Sequence, residues 1–325
     1  MRQCWHLVNF DKWTTVLPRG AKTCQFITSL DGAEVLGSLA VPDLNGALSP
    51  ESELARSREH NLASRLVTLP QEIFDDIVAE LPDAEYVLSL ALTCSYLWRV
   101  LLPNVKGAII AIEAPWAGDR LIFVGDYARG FPPNCKDYEN GNMPEREMDP
   151  GDGVDAEMVN ENPLYFGINR CILPRWPSLE VVMKDQAWDC PDIQLLLRLV
   201  TMLRSHPGSK RPGVLRNLTK QQYVLDSKLA ESKYPYSLVE AIVVRTQWTE
   251  SAADGLDDWV GDRFDIRSIE HVPEGWTDVS DEAIDLIGNA AIRSLRILDL
   301  EDWELTSYQV ELTSYQAEHS RAWIK

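Results

Sequence analysis

Residues 116–127 read WAGDRLIFVGDY, and residues 259–266 read WVGDRFDI. In both, a Trp is followed two positions later by Gly-Asp and then by Arg, before Leu121 or Phe264. Gly suits the φ > 0 position of a tight turn, and Asp bonds nearby amides there. Arg120 and Arg263 can then pair with a carboxylate or stack on an indole. The run Leu121–Val124 that follows the first copy reads as a buried strand. Both stretches are thus expected to be turns entering strands. A five-residue echo is too short on its own to prove an internal duplication.

Around these turns the chain is acidic. Its 325 residues carry a net charge of −19, with 45% apolar and 25% charged residues and eleven Trp. That length can bury a sizeable core in one large domain or two smaller ones. The charge argues against general binding to nucleic acid or to an anionic membrane, since both need a cationic footprint. Cys4, Cys24, Cys94, Cys135, Cys171 and Cys190 form no CxxC pair and have no His at ligand spacing. Reduced thiols are expected, with neither a metal site nor a cofactor. The start of the chain lacks the apolar core of a signal peptide, and no run reaches the roughly 18–20 apolar residues of a membrane span. A cytosolic or nuclear setting is the expectation.

Composition shifts mark out segments. DLNGALSPESELARSREHN (43–61) is polar and turn-rich, so residues 1–65 read as a flexible leader. Residues 134–163 hold nine acidic and two basic side chains and read as a solvated loop. DIQLLLRLVTMLRSH (192–206) reads as a buried helix, interrupted by HPGSKRPG (206–213). Thr219 and Gln222 fit a capping box, and YSLVEAIVVRTQW (236–248), with its β-branched centre, reads as a strand. ELTSYQ occurs twice near the C-terminus, a local duplication in a tail spanning 301–325.

One block stands apart. Residues 66–102 contain 23 apolar residues out of 37, well above the chain average of 45%. In LPQEIFDDIVAEL (69–81), Ile73, Phe74, Ile77, Val78 and Leu81 fall on one helical stripe. Thr68 and Gln71 fit a capping box, with Pro70 in the first turn. Pro82 ends this helix, Asp83 caps the next, and Ser95 opens a third that Pro103 closes. Three helices totalling about 40 residues seldom bury enough surface to stand alone. Their apolar surface must meet either the rest of this chain or another protein, and periodicity alone leaves both open.

The order of residues through the block resembles an F-box motif. Leu69-Pro70, Glu72, the Ile73/Ile77/Leu81 stripe, Pro82, the Leu88, Leu90, Leu92 run and Cys94 occur in sequence, followed by Leu97, Val100 and Leu101. Phe74 departs from the smaller aliphatic common at its position. The phrases WAGDRLIFVGDYARGFPP, VLRNLTKQQYV, EAIVVRTQW and WVGDRFDI look like those of a large group of fungal F-box proteins of mostly unassigned substrate. That resemblance implies an α+β chain: a three-helix F-box over 66–104, then a mixed α/β domain over 105–300 without leucine-rich or WD repeats. It also implies docking on a Skp-type adaptor and, through it, a cullin, as substrate receptor of a ubiquitin ligase. The adaptor contacts it implies are Leu69, Pro70, Ile73, Ile77, Leu88 and Leu92. Such a receptor supplies proximity to an unidentified protein client and no reacting group of its own.

Trp116, Tyr127, Trp248 and Trp259 are candidate client contacts, because Trp and Tyr are over-represented at binding hot spots; core positions are the competing reading. Two other functions stand beside the receptor. An F-box protein can bind the adaptor outside a ligase. A hydrolase could use Asp119, Asp126 or Asp262 as acid and base, although no nucleophile elbow, P-loop, HExxH or dinucleotide fingerprint accompanies them.

Overall fold

A computed structural model of the chain describes residues 5–15, 31–44, 65–81, 84–91, 93, 95–125, 128, 130–132, 135, 213–248 and 259–297. The helix expected over 192–206, most of the acidic segment 134–163 and the C-terminal repeat lie outside these residues. So do Pro82, Asp83, Leu92, Cys94, Asp126 and Tyr127.

The described residues form a mixed α/β fold with two small mixed sheets. The first contains β1 (Trp5–Asn9), β2 (Thr14–Thr15), β3 (Leu121–Gly125) and β6 (Gln247–Trp248), in the order β2-β1-β3-β6. The second contains β4 (Gly213–Asn217), β5 (Gln222–Leu225), β7 (Phe264–Ser268) and β8 (Thr277–Asp278), in the order β7-β4-β5-β8. Three helices accompany the sheets on the C-terminal side: α6 (Asp226–Glu231), α7 (Leu238–Arg245) and α8 (Ser280–Ile297). Between α1 (Asp31–Leu39) and β3, the chain detours through α2 (Gln71–Ala79), α3 (Ala84–Ala91), α4 (Ser95–Val100) and α5 (Leu102–Glu113).

The first strand overturns the reading of residues 1–65 as a leader. All five residues of β1 are buried, and it pairs antiparallel with β3 from Trp5↔Gly125 to Asn9↔Leu121. Val35 and Leu39 of α1 join the same core. The polar stretch 43–61 prompted the leader reading, but the aromatic and aliphatic residues before it supply a central strand. The α/β unit therefore already includes Trp5–Asn9, and the helical block is inserted within it.

Three local expectations also change. Residues 238–245 are helical: the Ser237 amide donates to Glu240 Oε2 at 2.6 Å, and this capping box starts α7. Seven of the eight residues of α7 are buried, all but the half-buried Glu240, so Ile242, Val243 and Val244 are chosen for packing volume, which outweighs their modest strand preference. Thr219 and Gln222 do not cap a helix. They belong to a hairpin turn in which Asn217 Oδ1 accepts from the amides of Thr219 and Lys220, at 3.0 and 2.9 Å, and Gln221 takes φ +58. Pro103 opens α5 instead of closing α4, sitting in the first turn where its missing N–H costs nothing.

The two Trp-Gly-Asp-Arg turns enter strands as expected, with Gly118 at φ +86 and Gly261 at φ +72. They also meet. Arg120 and Arg263 form an antiparallel bridge between the sheets. Gly118 N donates to Phe264 O at 2.7 Å and Gly261 N to Leu121 O at 3.0 Å. Leu121 N donates to Asp262 O and Phe264 N to Asp119 O, at 3.1 and 3.2 Å. One core runs beneath both sheets, uniting Leu7, Trp116, Leu121 and Phe123 with Leu215, Trp259, Phe264 and Ile266.

Candidate docking surface

The helical block has its own core of Phe74, Leu88, Leu97, Trp98, Leu101, Val105 and Ile109, joined by Leu44 from the incoming chain. Helix α2 divides the stripe expected on it. Phe74 is fully buried, and Val78 and Leu81 pack on the same cluster. Ile73, one position earlier, is 42% exposed, and Pro70 is exposed as well. Ile77, one turn after Ile73, is half-buried. The helix begins from Pro70, whose φ of −60 and ψ of 154 are extended, with no side-chain cap. The expected Thr68–Gln71 capping box is absent: Gln71 Nε2 turns to Asp75 Oδ1 at 3.1 Å.

Of the six adaptor contacts drawn from the sequence, Pro70 and Ile73 are thus exposed and Ile77 half-buried, leaving apolar surface at the edge of the stripe that Phe74 buries. Leu69 is half-buried against the cluster. Leu88 is fully buried; it holds the block together and is not a surface contact. Leu92 lies outside the described residues. Helix α5 packs on α3. An apolar groove of about 510 Å³ runs between the two, lined by Val78, Leu81, Val87, Pro103 and Ala111 among others.

The candidate client contacts separate in the same way. Trp116 and Trp259 are buried at 1% and 0% exposure and belong to the shared core. Neither reaches a partner without unfolding, which corrects that reading. Trp259 donates from Nε1 to Gln222 Oε1 at 2.7 Å, and the buried Arg245 guanidinium lies 4.9 Å from its ring centroid. Trp248 is half-buried, with Nε1 donating to Gly130 O at 3.2 Å, and keeps surface for contact. Tyr127 lies outside the described residues.

Asp119 and Asp262 are placed as structural clamps. Asp119 Oδ2 accepts from Asn9 Nδ2 at 2.8 Å and pairs with Lys12 Nζ at 2.8 Å. Asp262 Oδ2 accepts from Asn217 Nδ2 at 2.8 Å, with Lys220 Nζ at 4.0 Å. Burial pushes the Asp262 carboxyl up from its ordinary pKa, although Asn217 and Lys220 pull the other way. Burial, with Arg245 nearby, pushes the Lys220 ammonium down, against the pull of Asp262. Neither carboxylate lines the groove beside α5, and Asp126 lies outside the described residues. No group of three or more His, Cys, Asp or Glu suited to a metal ion occurs among the described residues. No helix among them is long and apolar enough to cross a membrane.

Sequence reasoning missed Asp11, which faces both turn arginines. Its Oδ1 accepts from Arg120 Nε at 2.8 Å, and its Oδ2 accepts from the Arg120 amide at 2.9 Å and from Arg263 Nη1 at 3.0 Å. Burial alone would raise this carboxyl. The hydrogen bonds and charge of Arg120, with the charge of Arg263, outweigh it and hold the pKa below the ordinary value. The missed signal was the spacing Asn-x-x-Lys, present as NFDK (9–12) and again as NLTK (217–220).

Comparison with protein-family models, with curated proteins and with solved structures finds no match for this chain.

Proposed function

We propose that this chain is an F-box protein that docks on a Skp-type adaptor through α2 and serves as substrate receptor of a cullin-based ubiquitin ligase. The observation that carries the reading is the division of α2. Phe74, Val78 and Leu81 close the helical core, while Pro70 and Ile73 stay exposed in the ordered Leu-Pro-x-x-Ile pattern that the resemblance associates with adaptor contact. An exposed Ile beside a well-buried Phe on one short helix suits a surface completed by a partner. In this reading the α/β unit carries the client, and the chain contributes placement and no reacting group.

The test is co-purification with a purified Skp-type adaptor. Ile73→Glu puts a charge on the outward face and leaves Phe74 in place. Capture by the wild type and loss of capture by a folded Ile73→Glu chain are expected. A folded wild type that fails to bind any Skp-type adaptor overturns the proposal. Addition of a cullin to the captured pair then separates a ligase receptor from an adaptor-bound protein outside a ligase.

A further inference from the structure

We infer that the α/β unit is an internal duplication: two equivalent half-units, exchanged around a pseudo-two-fold axis at the Arg120–Arg263 bridge, with the helical block inserted into only one of them. The inference concerns the architecture beneath the docking reading and does not depend on it.

The equivalence is atomic. β1 and its turn match β4 and its turn at a constant offset, which sets Leu7 on Leu215, Asn9 on Asn217 and Lys12 on Lys220. Asn9 Oδ1 accepts from Lys12 N at 3.0 Å, and Asn217 Oδ1 from Lys220 N at 2.9 Å. Trp13 and Gln221, the non-glycine residues of positive φ among those described, occupy the same place, at 51° and 58°. Phe10 N donates to Arg120 O and Leu218 N to Arg263 O, both at 2.8 Å. Asn9 grips Asp119 as Asn217 grips Asp262, each at 2.8 Å. Asp119 N and Asp262 N close their turns onto Trp116 O and Trp259 O, both at 3.1 Å. Left-handed backbone at a residue other than Gly is uncommon. Its recurrence at matched positions in two turns, with matched side-chain bonds, is not what unrelated hairpins would share.

Each half then runs through a helix, α1 or α7, and these two pack on one another; in the second half the shorter α6 precedes α7. The short parallel strand after each helix pairs with the opposite half. Gln247 of β6 pairs with Phe123 of β3, and Ala40 pairs with Ile266 of β7. From there the second half reaches Trp259 through residues 249–258, whereas the first reaches Trp116 through 42–115, which hold all four helices of the block.

The symmetry is broken at one informative position. Asp11 matches Thr219. Arg120 N donates to Asp11 Oδ2 at 2.9 Å, and Arg263 N donates to Thr219 Oγ1 at 3.0 Å. With no carboxylate of its own at that position, Arg263 reaches across the axis to Asp11.

Moving the carboxylate tests the equivalence in the full-length chain. Asp11→Thr removes the carboxylate that both guanidiniums share, leaving Arg263 its bond to Gly118 O at 2.8 Å, and is expected to lower the melting temperature by about 3–10 °C. The double variant Asp11→Thr/Thr219→Asp places the carboxylate in the other half and should recover most of that loss. Asp11→Thr/Gln221→Asp, with the same net charge but the carboxylate two positions away, should not. If Asp11→Thr fails to fold, the return of a folded chain in the double variant carries the same meaning. An Asp11→Thr chain as stable as wild type, or a Thr219→Asp rescue no better than the Gln221→Asp control, overturns the inference.

Discussion

Arg120 and Arg263 sit opposite one another in the bridge that joins the two sheets, and both donate to Asp11. Two cations held side by side on one carboxylate make that junction sensitive to acid. Because the Asp11 pKa is held below its ordinary value, its contribution to stability is fully present above the ordinary Asp range and is lost as pH falls through the folded-state pKa. Denaturant midpoints measured from pH 7 down to pH 2 should therefore fall less steeply in Asp11→Asn than in wild type, which starts higher.

The two Asn–Asp clamps should respond unequally. Asn9→Ala leaves Asp119 with Lys12 at 2.8 Å. Asn217→Ala leaves the fully buried Asp262 side chain with the Lys220 ammonium at a longer 4.0 Å. A buried carboxylate that loses its donor costs about 1–3 kcal/mol. Asn217→Ala should lie near the top of that range and Asn9→Ala near the bottom, as measured by urea unfolding.

Neighbouring residues on α2 should separate folding from docking. Phe74→Ala empties a fully buried aromatic site, so a loss of about 3–5 kcal/mol is expected. Ile73→Ala, at an exposed position, should change stability by less than about 0.5 kcal/mol. If docking uses this face, adaptor affinity measured by titration calorimetry falls in the Ile73→Ala chain.

Trp259 and Trp248 should behave oppositely. Trp259→Ala removes an indole at the centre of the shared core together with the platform beneath Arg245, a loss of about 3–5 kcal/mol. Trp248→Ala should cost far less, because that ring is half-buried and gives up one hydrogen bond to Gly130. Thermal melts of the two variants decide this directly.

Several elements were legible from sequence for physical reasons. The strand at Leu121 was visible as an unbroken apolar run after a Gly-Asp turn, and the composition shift over 66–102 marked the helical block, though not its last helix, Leu102–Glu113, nor its insertion within the α/β unit. α7 was misread because a helix buried nearly all round, with Glu240 alone half-buried, carries little amphipathic period, so its β-branched centre spoke louder than Ser237 and Glu240. Half of the clamp was visible in the repeated Trp-x-Gly-Asp-Arg. The other half, Asn9 and Asn217, lay in strands that share only one further residue, Leu7 with Leu215. On the face turned away from the shared core, Val8, Ile122 and Val124 match Arg216, Asp265 and Arg267. The first set is buried in an apolar cluster with Phe131 and Cys135. In the second, Arg216 Nη2 and Asp265 Oδ2 pair at 2.6 Å. Opposite solutions for the same face hid the kinship.

The chain leaves for the helical block and returns from it at adjoining backbone sites: Val41 N bonds to Ile266 O and Trp116 N to Ser38 O, each at 2.9 Å. A domain on a single tether swivels; one mounted by two neighbouring stems resists that rotation. A pull on α2 would load both attachments in shear, along hydrogen bonds of the sheet junction. On the docking reading, a partner held by the helices is joined to the sheets through both attachments.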